Sequence, residues 1–180
     1  TKELRYGSIL VLTDQDEDGS HIKGLIFNLF ESLWPTLYKF PGFLNTMLTP
    51  VIKVKQGSKE KSFYSVKDYN KWVVNPGNDK YSVKYYKGLG TSTPKEAKEY
   101  FKALKLVKYT TDESHDDESL YLAFDKKENS SNNRKEWLSN YDCENTLDYD
   151  SSEVSVTDFV NKDLIHFSVS DNIRSIPSAI

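Results

Sequence analysis

The stretch 9-ILVLTDQDEDGSHIKG-24 sets an apolar run against three aspartates at alternate positions, Asp14, Asp16 and Asp18, followed at once by a glycine. Residues 9–12 are aliphatic with turn-type neighbours and read as a buried strand. From His21 to Trp34 the apolar residues fall at 22, 25, 26, 29, 30 and 33, a stripe one helical face wide. Asp18 and Ser20 are the expected N-caps of that helix, and Pro35 its stop. Strand, acidic loop and helix make half of a βαβ unit, and loops leaving the carboxyl ends of such strands are where ligands bind.

Spacing of this kind suggests a divalent cation. A calcium loop of EF-hand type needs a bidentate Glu at its twelfth position, which here, counting from Asp14, is Leu25. Its flank is also wrong, because a strand rather than a helix precedes it. Magnesium suits the loop better, since it prefers one or two carboxylates, several waters and substrate phosphate oxygens. Three carboxylates this close repel one another unless a cation neutralises them. The plainer alternative is an acidic helix N-terminus, favourable by about 0.3–1 kcal/mol, which would account for Asp18 better than for Asp14.

The bulk composition is that of a globular protein: 180 residues, 37% hydrophobic and 28% charged. One cysteine, Cys143, excludes an intramolecular disulfide and fits a reducing, intracellular setting. No apolar segment is long enough for a membrane span or a signal peptide. A net charge of −3 argues against a general positive field for coating nucleic acid. The charge is nonetheless uneven. Lys80, Lys84, Lys87, Lys95, Lys98, Lys102, Lys105 and Lys108 face only Glu96 and Glu99 over one section, and acids dominate from Asp112 to Glu128. A solvated helix face beside acidic loops is the bland account of that pattern.

Along the rest of the chain, residues 49–55 and 61–66 read as a hairpin, 68–74 as a short helix and 81–86 as a strand running into KGLG. Thr93 opens a helix as a capping box, with Pro94 at its first position and Glu96 three residues after the cap. That helix is expected to run to about residue 106. An acidic linker follows, then helical pieces at 120–124 and 134–140 and a last helix from about 157.

The loop TDQDEDGSHIKG resembles the D-x-D motif of the Toprim domain as found in eukaryotic type IIA DNA topoisomerases. YYKGLGTS at 85–92, KEAKEYF at 95–101, LAFDKK at 122–127, RKEWL at 134–138, FVNKDLIHFS at 159–168 and DNIRSIPS at 171–178 follow in the family's order. The resemblance implies an α/β fold of Toprim (Rossmann-like) type, a mixed or parallel sheet flanked by helices, with a helical C-terminal extension. It divides the chain into a partial Toprim core (1–110), an acidic linker with helical extension (111–156) and the start of a winged-helix domain (157–180).

By the same resemblance, the parent protein is an ATP-dependent, homodimeric, nuclear enzyme that cuts one DNA duplex, passes another through and reseals. Asp14, Asp16 and Asp18 are then the metal-binding, catalytic acids, with Mg²⁺ the cofactor and Mn²⁺ or Ca²⁺ as substitutes. The family's glutamate motif is expected before Thr1 and its nucleophilic tyrosine after Ile180. ATP belongs to the full-length protein, and this piece alone is expected to be inactive. Lys87, Arg134, Lys135, His21 and Arg174 are the candidate contacts to double-stranded DNA. For Lys87 the alternative is docking of a neighbouring domain or an ordinary turn, for His21 a hydrogen bond bracing the loop, and for Arg174 an ion pair with an acid. Another Toprim enzyme (primase or nuclease) and a non-catalytic cation-binding module are the competing readings. Trp34, Trp72 and Trp137 are expected in the core.

Overall fold

The computed structural model describes residues 4–86, 88–111, 116–125, 130–149 and 151–175, with backbone alone at 89, 116 and 117. Strand β1 (Ile9–Val11) runs parallel to β2 (Leu44–Met47), pairing Ile9 with Leu44 and Val11 with Thr46. β2 is antiparallel to β6 (Leu106–Thr110), and β6 is parallel to β7 (Glu153–Ser155), giving the order β1-β2-β6-β7. The expected mixed sheet flanked by helices is therefore present.

Helix α1 (Glu17–Leu33) starts earlier than its apolar stripe suggests, because the N-cap is Asp16. Asp16 has extended backbone (φ −120°, ψ 179°) and its side chain accepts from the Gly19 amide. Asp18 thus lies inside the first turn, and Ser20 points its hydroxyl at Asp163. Neither is the cap. At the other end the Trp34 amide returns to the Phe30 carbonyl, and Pro35 opens the short helix α2 (Pro35–Tyr38). Standing at that junction, Trp34 is 48% exposed and does not join the core.

A second, smaller sheet has the order β4-β3-β5, all antiparallel. β3 (Ile52–Gln56) and β4 (Lys59–Phe63) form the expected hairpin around Gly57, whose φ of +59° suits a glycine. β5 (Ser82–Tyr85) completes it. Ile52, Val54 and Phe63 pack with Tyr69 of α3 (Val66–Val73) into a satellite core, which Trp72 borders. The capping box at Thr93 and Glu96 opens α4 (Pro94–Ala103), which stops at Leu104 rather than at 106 because the chain turns into β6.

The main core lies between the first sheet and the helices. Phe27 of α1 is fully buried, with ring centroids 4.6 Å from Tyr109 and 5.2 Å from Phe159. Leu120 of α5 (Asp116–Phe124) and Trp137 of α6 (Ser130–Ser139) join it. So do Val156 and Phe159 of α7 (Val156–Phe159), which continues through a π-helical turn (Val160–Leu164) into α8 (Ile165–Ser175). β7 and Leu147 belong to the same core, so residues of the expected acidic linker take part in the sheet and its packing.

Candidate metal centre and nucleic-acid interface

The acidic loop leaves the carboxyl end of β1, a strand in parallel pairing, and passes directly into α1. Gln15 fastens it to the end of β2, donating to the Met47 carbonyl at 3.1 Å. Asp16 accepts from the Gly19 amide at 2.8 Å through Oδ1 alone. The helix cap therefore uses one carboxylate oxygen, and Oδ2 makes no hydrogen bond among the described residues. Gly19 is needed for close packing: a Cβ there would overlap the Asp14 carbonyl oxygen and stand 3.2 Å from Thr13 Oγ1.

The Asp14 carboxylate lies against Gly88, in the glycine loop after β5. Gly88 has φ +136°, and a Cβ on it would come within 2.6 Å of Asp14 Oδ1 and closer still to Oδ2. The glycine of KGLG thus makes a close backbone approach onto the first acid of the loop. Lys87 itself lies outside the described residues. Asp18 points elsewhere, with its Oδ1 3.4 Å from Arg174 Nη2 in a contact exposed on both sides. That is the acid-pairing alternative for Arg174, and in solvent such a pair contributes little. Among the described residues no group of three His, Cys, Asp or Glu side chains is placed to hold a metal. Asp14 and Asp16 are the loop's other two carboxylates, and a magnesium ion ordinarily takes one or two from protein.

Behind the loop sits a buried ion pair. Lys23 Nζ, on the inward face of α1, is 3.1 Å from Asp163 Oδ2 and 5.6 Å from the Phe159 ring centroid. Burial pushes the ammonium pKa down, but the Asp163 carboxylate and its hydrogen bond outweigh this and the net shift is upward. Asp163 also takes the Ser20 hydroxyl at 2.8 Å. It stands in the π turn, a helix type that often occurs at functional positions. A cleft of about 710 Å³ opens beside this group, lined among others by Asp16, Glu17, Lys67, Lys71 and Asp163. Asp163 was not singled out from sequence, and Lys23 gave no signal for it, because the apolar stripe of α1 lies on a different face from the buried Ser20, Lys23, Gly24 and Phe27.

His21 faces away from the acids. Its ring stacks on Phe167 at 4.0 Å between centroids and 8° between planes, and lies 6.1 Å from Phe124. It borders a hollow of about 330 Å³ with Arg134 and Lys135, so three of the proposed DNA contacts share one depression. Arg134 and Lys135 do not open their helix, because α6 begins at Ser130. One guanidinium nitrogen of Arg134 donates at 2.6 Å to the Asp125 carbonyl just past α5, leaving Lys135 the more exposed cation of the two.

Glu96 ties together the two flanks of the glycine loop. Its carboxylate accepts from the Thr93 amide at 2.7 Å, from Lys84 Nζ at 3.0 Å and from the Tyr86 hydroxyl. Burial pushes this carboxyl up, yet the three donors outweigh it and hold the pKa at about 2. A depressed carboxyl stabilises the fold above its ordinary pKa of 4.5, and that contribution is lost as pH falls toward about 2. The melting temperature of the wild type should therefore fall more than that of Glu96→Gln across this window. Parallel curves for the two proteins would contradict the assignment.

The sequence profile described as the C-terminal associated domain of TOPRIM matches residues 47–172. A protein named DNA topoisomerase 2 from Plasmodium falciparum is 44% identical over 179 residues, covering 98% of this chain and 13% of the relative. Its Arabidopsis thaliana namesake is 48% identical over 183 residues, covering 98% of this chain and 12% of the relative. The chain thus spans only about an eighth of these relatives' length. A solved structure, described as the crystal structure of the Plasmodium falciparum topoisomerase II DNA-binding, cleavage and re-ligation domain, superposes with a TM-score of 0.89 at 44% identity. It is matched over 98% of this chain and 24% of its own. In sequence and fold alike, the chain belongs to the family of the C-terminal associated domain of TOPRIM, in the form carried by eukaryotic DNA topoisomerase 2.

Proposed function

We propose that this chain supplies the metal-binding acids of a type IIA DNA topoisomerase, an enzyme that opens one duplex transiently, passes another through it and reseals the break. The observation that carries the reading is the contact of Asp14, at the carboxyl end of a parallel strand and two residues before Asp16, with the glycine loop at Gly88. Asp14 and Asp16 would hold Mg²⁺, for which Mn²⁺ or Ca²⁺ could substitute. When bound, the metal stabilises charge on the transferring phosphate and assists the leaving oxygen.

The chain's own residues do the positioning. The Asp16 cap fixes the loop on α1, Gln15 ties it to β2, and the bare Cα of Gly88 lets the backbone come up to Asp14. Asp18 would act as an outer acid through water once its contact with Arg174 yields. Lys135, Arg134 and His21 would meet the DNA backbone at their shared hollow, with Lys87 and Arg174 as further contacts. Residues 1–110 would thus carry the acids, 111–156 the interface helix and 157–180 the lead into a winged helix. Double-stranded DNA, a second copy of the parent protein and ATP bound elsewhere in it complete the proposed set, in a nuclear enzyme. The isolated chain is expected to be inactive.

Asp16→Asn separates metal binding from folding, because Asn caps a helix about as well as Asp. Within the full-length enzyme, Mg²⁺-dependent relaxation of supercoiled DNA should fall by about a hundredfold or more, as for loss of a transition-state electrostatic contact. Thermal stability should be nearly unchanged. Full activity in the variant would sink the metal reading.

A further inference from the structure

We propose that the outer face of α4, carried by Lys95, Lys98 and Lys102, is a docking surface for the phosphate backbone of duplex DNA. The proposal rests on the DNA reading above and extends it to residues outside the acidic loop. α4 buries none of its residues. Most protein helices are held by an apolar stripe pressed into a core, whereas this one is held on the small sheet through its acids. Glu96 takes Lys84 at 3.0 Å and the Tyr86 hydroxyl, and Glu99 lies 3.9 Å from Lys53. Lys53 also stands 5.1 Å from the Tyr100 ring centroid. Both acids of the helix are thereby turned toward the sheet.

The lysines occupy the adjoining face, with Glu99 about 40° around the helix from Lys95. At about 100° per residue, positions 95, 98 and 102 fall within about 60° of one another. All three are exposed, and none makes an ion pair among the described residues. Glu99, four residues beyond Lys95 and so placed for an i, i+4 pair, is engaged with Lys53 instead. Lys98 and Lys102 are themselves an i, i+4 pair of like charge, a mildly unfavourable arrangement. A merely solvated helix face ordinarily intermixes its signs; this face carries three lysines against one acid, Glu99, whose carboxylate is drawn toward Lys53. The lysine row is about 10 Å long at 1.5 Å per residue, the axial rise over which one strand of a duplex presents about three phosphates. Charge complementarity therefore selects a regular polyanion as the occupant.

The test is fluorescence anisotropy with a labelled duplex of mixed sequence across a salt series, using this chain and its Lys95→Ala/Lys98→Ala/Lys102→Ala variant. Alanine on an exposed helix face favours the helix, so the melting temperature should hold; Lys98→Ala alone provides a milder version. The slope of log affinity against log salt should become shallower by about 2.7 in the triple variant and about 0.9 in the single one. An unchanged slope would overturn the proposal while leaving the DNA reading standing. So would equal flattening by a control triple, Lys55→Ala/Lys59→Ala/Lys71→Ala, since charge alone would then suffice. Competition by polyglutamate as effective as by unlabelled duplex would overturn it in favour of an acidic protein segment. If the wild-type chain binds no duplex even at the lowest salt, both the proposal and the DNA reading fall.

Discussion

Replacing Lys23 with Met should lower the stability of the chain by about 4 kcal/mol, the usual consequence of removing one member of a buried ion pair. The cost arises from what is left behind. Asp163 would keep the Ser20 hydroxyl but lose the ammonium at 3.1 Å, so a carboxylate only 18% exposed would be left with its charge unbalanced. For a domain of this size the melting temperature should fall by about 8–16 °C. The double variant Lys23→Met/Asp163→Leu should recover most of the loss, because an apolar pair of similar volume is often as stable as the ionic one. A pH series gives an independent check. The Lys23 pKa lies above its usual 10.5, so its contribution persists through neutral pH and is lost only as pH rises through the folded value. A loss below about 1 kcal/mol in the single variant would mean that the pair is not the buried contact described.

Gly19→Ala should cost about 3 kcal/mol, at the upper end of what overpacking usually does. Alanine ordinarily stabilises a helix relative to glycine by about 1 kcal/mol, so the expected sign is the reverse of helix propensity. The reason is local: the added Cβ would overlap the Asp14 carbonyl oxygen and lie 2.9 Å from its carbonyl carbon. Either Asp14 moves, which takes a proposed metal ligand with it, or the first turn of α1 opens and Asp16 no longer caps it. Mn²⁺ affinity, measured by calorimetry on the full-length protein, should fall together with the melting temperature, by contrast with Asp16→Asn. A stabilised Gly19→Ala protein would show that the loop and helix do not meet in this way.

The sequence disclosed the parts whose local chemistry is self-contained. The capping box at Thr93 and Glu96 and the Gly57 hairpin depend on neighbours a few residues away, and each stands close to where its pattern places it. The apolar stripe of α1 marked the helix but not its buried face: Ile22, Leu25, Leu29 and Leu33 are exposed, and Lys23, Gly24, Phe27 and Glu31 are buried instead. Strands made by long-range pairing were not legible. β2, LNTM, is buried along its whole length and so shows no alternation. Its Asn45 is accommodated by donating to the Gly42 carbonyl at 2.8 Å, which no periodicity announces. β6 lies between the end expected for a basic helix and an acidic linker and was left unassigned, and β7 is an acidic three-residue segment that becomes a strand only beside β6.

The candidate site divides along the same line. The acids and the glycine loop were visible as motifs. That Asp18 would turn to Arg174, that His21 would stack on Phe167, and that Asp16 rather than Asp18 would cap the helix depended on partners far along the chain or on backbone geometry. Asp163 was hidden for the same reason, being distant in sequence from the loop it supports.

The two separate cores bear on how this centre can breathe. The acids issue from the sheet packed around Phe27, whereas Gly88 follows the strand packed around Ile52 and Val54. Units with their own apolar clusters can open with their own free energies. The smaller one could loosen, drawing Gly88 off Asp14, while the larger remained closed. Access to the first aspartate would then be governed by a subglobal opening, letting a cation or a phosphate enter without the chain unfolding around it.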